Sequence, residues 1–309
     1  MLIISRKLPE DIRIWEKDRV NGAAFLAREA VTLASAHTKY THNAEISVAR
    51  SIAMLRPSMV PIVNAMNEFD RRMQTDPNID RIGEDLRRSL DEEIVKCVDL
   101  GYETILHHYR QWKSTSPPVD GFVIGTFSRS STVKRILERV VQNQVESSGV
   151  KVLCSQSTPG DEGELVAADI PGAEWLPDQE FQKRLEDGKI ELVLVGADCI
   201  LEGGKGVVNK VGTASLATCC EQNNVPFICC ADRWKVWEDD YPPGLEDIFE
   251  AFIPANRVLV PDCESESYRW LASAVSKKSS PEGKREPFEI EGPVNVRVVK
   301  FGKLVLLRT

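Results

Sequence analysis

The 309-residue chain has no C-x-x-C pair, only four histidines, no excess of positive charge and no long apolar run. Each lack excludes something. Without C-x-x-C spacing, and with His37, His42, His107 and His108 at no ligand spacing from any cysteine, a zinc or iron–sulfur site is not expected. A net charge of −8 argues against a general nucleic-acid surface or an anionic-membrane surface. No stretch approaches the roughly 18–20 apolar residues of a membrane span. The opening MLIISRKLPEDIRIW has an apolar run too short for a secretory signal. The eight cysteines, including the adjacent pairs Cys219-Cys220 and Cys229-Cys230, sit mostly in apolar runs. They read as buried, reduced, hydrophobe-like thiols of a cytoplasmic protein. No cofactor or metal is expected.

What is present divides the chain in two. Residues 18–37, 44–55, 60–73 and 81–112 place apolar side chains at helical spacing, the last as one long amphipathic helix. Pro57 separates the second from the third. KSTSPPVDG (113–121) has linker chemistry. Beyond it, short apolar runs (121–125, 151–155, 191–197, 226–231) alternate with helical segments (130–143, 164–170, 211–224). That alternation predicts a parallel sheet covered on both faces, with ligands beyond the carboxyl ends of its strands. The expected fold is α/β: a helical domain over 1–118, then a Rossmann-like parallel-sheet domain over 119–309. Residues 237–247 and 276–289 read as loops, and 295–299 with 303–307 as a terminal hairpin. No internal repeat is visible.

VGADCILEGGKGVVNKVGT (195–213) carries the chemistry. A Walker A loop is ruled out because Gly204-Lys205 is followed by Gly206 and Cys199 stands at the first glycine position. The dinucleotide fingerprint fails because Asn209 stands where its last glycine should be. An ordinary β–α connection would also read this way. Yet a loop feeding a helix N-terminus offers N–H groups and a positive dipole end to an anion, and Lys210 adds a cation. Asp198, at a strand's carboxyl end, is placed for acid–base work.

G-A-D followed eleven residues later by N-K and then V-G-T is a specific pattern. It resembles the family joining methylthioribose-1-phosphate isomerase, ribose-1,5-bisphosphate isomerase and the alpha, beta and delta regulatory subunits of translation initiation factor 2B. RVNGAAFLAREA (19–30), LRPSMVPIVNAM (55–66), VIGTFSRSSTV (123–133), SQSTPGDEG (155–163) and ADRWK (231–235) agree with it in order, from about residue 19 to 235. The resemblance implies an N-terminal helical domain, a Rossmann-like domain through which such proteins dimerise, and a pocket at their interface for a sugar phosphate or a nucleotide monophosphate. It implies Asp198 as the catalytic proton shuttle and Asn209 and Lys210 as substrate-binding residues. Arg56 falls in a sugar-phosphate-contacting region, Asn21, Gly22 and Ala23 form a turn beside the ligand phosphate, and Lys235 matches a late lysine.

Two positions depart from the pattern. Phe127 stands where the isomerases carry a cysteine, and a phenyl ring cannot transfer a proton. Thr158 stands where the family's E-S-R-P segment has arginine, which removes a bidentate phosphate partner. Cys154 is the best substitute thiol; Cys199 follows Asp198 but consecutive strand side chains face opposite ways, and Thr126 and Ser128 are weak acids unless activated. Two functions follow. One is an aldose–ketose isomerase of a phosphorylated pentose, favoured by Asp198. The other is a non-catalytic regulatory or metabolite-sensing protein like the initiation-factor subunits, favoured by Phe127 and Thr158. Either way the expected partners are a phosphorylated sugar or nucleotide monophosphate and further copies of the chain, as a homodimer or higher homo-oligomer, with no membrane and no direct nucleic-acid contact. His107-His108, Trp234 and Trp237 read as packing or solvent-facing residues.

Overall fold

The structure is a computed structural model, and it describes residues 9–18, 22–39, 47–56, 59–115, 121–143, 149–158, 160–201, 206–210, 212–237 and 257–261. Asn21, most of the 237–247 loop, the 276–289 segment, the expected terminal hairpin and Cys263 lie outside the described residues.

Five helices come first: α1 (Glu10–Lys17), α2 (Ala23–Thr38), α3 (Val48–Leu55), α4 (Val60–Met73) and α5 (Ile79–Thr115). In α2, Leu26, Ala27, Ala30, Val31, Leu33 and Ala34 bury a helical stripe. Ser47 starts α3 by accepting the Arg50 N–H at 2.9 Å. Pro61 opens α4, where its missing N–H costs nothing. The expectation of an all-helical first third is borne out.

Helix α5 runs 37 residues and joins two cores. Ile82, Leu86 and Leu90 pack with α1–α4, whereas Cys97, Tyr102, Ile105, Leu106 and Tyr109 pack in the sheet's core. Gly101 marks the crossing with α6 (Ser131–Gln142): a Cβ there would collide with the Ile136 side chain. The second half of α5 therefore covers the sheet.

The sheet holds β1 (Phe122–Phe127), β2 (Val150–Ser155), β3 (Glu174–Leu176), β4 (Leu192–Gly196) and β7 (Phe227–Cys230) in the order β3-β2-β1-β4-β7. Every neighbouring pair is parallel. The intervening helices α6, α7 (Gly163–Asp169), α8 (Asp178–Glu186) and α9 (Thr213–Gln222) complete a doubly wound arrangement. Strand order reverses between β1 and β4, whose residues are almost all buried. The parallel-sheet expectation holds, because continuous apolar runs with both faces covered have few other solutions.

A second sheet was not expected. Residues 199–210, read as a glycine loop leading to a helix, instead contain a hairpin of β5 (Cys199–Leu201) and β6 (Gly206–Lys210). With β8 (Val236–Trp237) and β9 (Arg257–Pro261) they form the order β8-β5-β6-β9. A 3-10 turn, Arg233–Lys235, links β7 to β8.

Candidate functional site

In doubly wound sheets the crevice for ligands lies outside the carboxyl ends of the strands where the order reverses. Here that point is the end of β1, Phe127-Ser128, beside the end of β4, Gly196-Ala197-Asp198, with Phe127 in register with Val195. Three helices begin around it. Helix α6 starts at Ser130, which accepts the Val133 N–H at 3.3 Å and lies so close to β4 that a Cβ on Gly196 would come within 2.5 Å of its Oγ. Helix α2 starts at Gly22, and a Cβ there would sit 3.8 Å from Ser131 Oγ. Helix α9 starts at Gly212, whose φ of +98° suits glycine. A Cβ on Gly212 would press within 2.8 Å of the Phe127 ring.

Phe127 is thus buried and fills the space between β1 and the start of α9. Its phenyl ring offers no proton-transfer group there. Burial pushes the Cys154 thiol up to about 12, and it does the same to Cys199 despite an opposing pull from Lys235. Neither is a thiolate near neutral pH. Thr126 Oγ1, one residue before Phe127, is buried with no hydrogen-bond partner among the described residues.

The hairpin carries the next residues. Asp198 lies one position beyond the last β5–β6 pair, Cys199 with Val208, which brings its backbone level with Asn209. Asp198 is half-buried. Asn209 is buried, and its Nδ2 donates to Thr213 Oγ1 at 3.1 Å, which in turn donates to Lys210 O at 2.6 Å. Asn209 therefore ties the end of β6 to the first turn of α9. The Lys210 side chain is 5% exposed, and its ammonium meets Glu162 Oε2 at 2.6 Å. Glu162 precedes α7 and also lies 3.5 Å from Ser128 Oγ.

The loop holding Glu162 is built on Asp178. The Asp178 carboxylate accepts from Ser155 Oγ, from the Ser157 N–H at 2.6 Å and from the Thr158 N–H at 2.8 Å. Burial alone would raise the Asp178 pKa, but these donors outweigh it and hold the carboxyl below its ordinary range. Ser157 Oγ is fixed by Ser155 O and accepts the Ser128 N–H at 2.8 Å. Ser128 and Ser157 both adopt positive φ, +66° and +67°, an uncommon state for non-glycine residues. Thr158 is exposed and contributes no cation.

Lys235 supports the end of β4 from behind, and Arg56 sits elsewhere. Lys235 Nζ is buried and donates to Ala197 O at 2.5 Å, one residue before Asp198. Its turn is clamped on the helices: Asn64 Nδ2 donates to Trp234 O at 2.9 Å and to Val236 O at 2.8 Å, while Arg233 donates to Ser89 Oγ at 2.8 Å. Arg56 is buried against α1, donating from Nη2 to Trp15 O at 2.9 Å, Glu16 O at 2.6 Å and Asp18 O, with its guanidinium 5.2 Å from the Trp15 ring centre. It satisfies carbonyls at the α1 C-terminus. Gly22 is exposed and Ala23 half-buried at the start of α2.

Sequence reasoning missed Glu162, Asp178 and Arg129. Arg129 is an exposed cation between Ser128 and the start of α6, and nothing among the described residues pairs with it. Its signal in the sequence is the lone cation of the SRSS run before α6. Among the described residues no group of His, Cys, Asp and Glu could hold a metal ion, and no helix is long and apolar enough to cross a membrane.

Helices wound over a parallel sheet whose strand order reverses between β1 and β4 define a doubly wound α/β protein. Residues 19–265 match the Initiation factor 2 subunit family, and the chain belongs to that family. It is 28% identical over 240 residues to an eIF-2B subunit 2-like translation initiation factor of Pyrococcus horikoshii, covering 75% of this chain and 80% of that protein. It is 27% identical over 118 residues to the ribose 1,5-bisphosphate isomerase of Archaeoglobus fulgidus, covering 38% of this chain and 36% of that one. The crystal structure of the Pyrococcus horikoshii OT3 translation initiation factor eIF-2B superposes with a TM-score of 0.56 at 25% identity, covering 74% of this chain and 81% of that chain. Membership leaves both isomerases and initiation-factor subunits as relatives.

Proposed function

We propose that this protein binds a phosphorylated sugar or nucleotide monophosphate as a metabolite-sensing or regulatory protein. The phosphate is received by the starts of α2 and α6, where Gly22 and Ser131 meet, with Arg129 beside them. Two helix N-termini supply free N–H groups and positive dipole ends, and the guanidinium supplies the mobile charge. The sugar hydroxyls lie towards Asp198, Asn209 and Lys210. The observation that carries this reading is the convergence of the α2, α6 and α9 starts on the reversal point of the sheet.

A second reading, aldose–ketose isomerisation with Asp198 as the proton shuttle, is favoured by the position of that carboxylate at the end of β4. Phe127 weighs against it, since losing one acid or base typically costs about 10²–10⁴ in rate. In the binding reading Arg56 is a structural clamp on α1 and Lys235 a support for the Asp198 segment. The helical part to residue 118 and the α/β part from residue 119 act as two domains with the crevice between them. The protein works in the cytoplasm as a homodimer or larger homo-oligomer.

Isothermal titration of the full chain with ribose 5-phosphate, AMP and unphosphorylated ribose tests the reading. Binding of a phosphorylated compound, lost with the phosphate and weakened about tenfold by Arg129→Ala, is the expected result. Equal binding of ribose and its phosphate contradicts it. A ketose product seen by NMR in the same mixture favours the second reading.

A further inference from the structure

We infer that Glu162 is a specificity-determining residue that bars a second phosphate from the Lys210 end of the crevice. The inference rests on the sugar-phosphate reading of the same site. Lys210 would otherwise be an obvious phosphate partner, buried and aimed across the carboxyl end of β1. Its ammonium is instead held by the Glu162 carboxylate at 2.6 Å.

This pairing is built into the fold. Glu162 is one residue before α7, and α7 packs so tightly on β2 that a Cβ on Gly163 would collide with Ser155 O. Asp178 fixes the loop from Ser155 to Thr158, and Asp161 accepts from Gln156 Nε2 at 2.9 Å and from Thr158 Oγ1 at 3.3 Å. Gly160, with φ of +110°, brings backbone close beside the ammonium: a Cβ there would lie 3.1 Å from Lys210 Nζ. The loop therefore sets one carboxylate, that of Glu162, directly against the lysine.

A phosphate brought to Lys210 would meet Glu162 at close range, and like charges in a partly buried site oppose binding strongly. A neutral hydroxyl meets no such barrier. It can accept from the ammonium and donate to the carboxylate, so the pair reads as a diol clamp. Glu162 keeps 32% of its side chain exposed, so its carboxylate stays within reach of an arriving ligand. The ligand class is then a polyol carrying one phosphate, seated at the α2 and α6 starts, with its distal end unphosphorylated.

Titration of the full chain with ribose 5-phosphate and ribose 1,5-bisphosphate tests this without any variant. The wild type should bind the monophosphate at least as tightly as the bisphosphate. Glu162→Gln, which still accepts from Lys210, should shift the ratio of bisphosphate to monophosphate affinity about tenfold or more towards the bisphosphate. A wild-type preference for the bisphosphate of about tenfold, or an unchanged ratio in Glu162→Gln and Glu162→Ala, overturns the inference alone. No binding of either sugar overturns the sugar-phosphate reading and the inference with it.

Discussion

Replacing Lys235 by methionine removes the ammonium that ties the turn after β7 to the end of β4 beside Asp198. Lys235 Nζ is buried and donates to Ala197 O at 2.5 Å. Losing a hydrogen bond to a charged donor costs about 1.5–3 kcal/mol. Asp232, three residues earlier, is buried and accepts the Trp234 N–H at 3.0 Å. Burial raises its pKa, the Lys235 charge pulls it down, and Glu93 pushes it up. Removing the cation leaves a buried carboxylate without compensation, which brings the expected loss to about 3–5 kcal/mol near neutral pH.

The loss must also depend on pH in a definite sense. A carboxyl whose folded pKa lies above its unfolded value favours the fold fully below the unfolded value. That contribution disappears as pH rises through the folded value. Without Lys235 the folded pKa of Asp232 moves further up. The stability gap between wild type and Lys235→Met should therefore widen from pH 5 to pH 8 and narrow in acid. Urea denaturation of the full chain at both pH values measures it. Adding Asp232→Asn, which keeps an acceptor for Trp234, should flatten the pH dependence. A gap under about 1 kcal/mol, or one equal at both pH values, refutes the picture of a buried, mutually compensated pair.

Three further outcomes follow from contacts elsewhere. Arg56→Lys should lower stability by about 2 kcal/mol, since one ammonium cannot serve the α1 carbonyls from a planar fork, and should leave ribose 5-phosphate affinity unchanged by titration. Asp178→Asn should cost about 1–2 kcal/mol at pH 7 in urea denaturation. Because the Asp178 pKa is lowered in the fold, that difference should be full above the unfolded carboxyl pKa and vanish as pH falls through the folded value. Phe127→Cys should cost about 3 kcal/mol from the cavity beside Gly212, and its thiol, unlike Cys154, should react readily with iodoacetamide if the crevice admits small molecules.

Much of this architecture was legible in the sequence because burial on both faces forces near-continuous apolar strands. LVLVG and FICC could hardly be anything else. The long α5 announced itself through Leu86, Leu90, Ile94, Cys97 and Ile105. Helix α8 was hidden because only Phe181 and Leu185 of its nine residues are buried, too few for a stripe. The β5–β6 hairpin was hidden because glycines at 203, 204 and 206 read as a loop feeding a helix, whereas Gly206 opens the second strand of the pair. The candidate residues Asp198, Asn209 and Lys210 stood out through local order, at a strand end and before a helix. Distant pairing left no such mark. Nothing local tells that Lys210 meets an acid 48 residues earlier, or that Arg56 turns to α1 carbonyls about 40 residues away.

The central claim is that one anionic metabolite is held at the reversal point of the sheet, its phosphate between the starts of α2 and α6. A crystal structure of the protein soaked with ribose 5-phosphate tests it most directly. The account predicts phosphate density within hydrogen-bond reach of the Ala23 and Ser131 backbone N–H groups, with sugar hydroxyls towards Asp198 and Lys210. Density for the phosphate at any other surface, or a crevice that stays empty at saturating ligand, would contradict it.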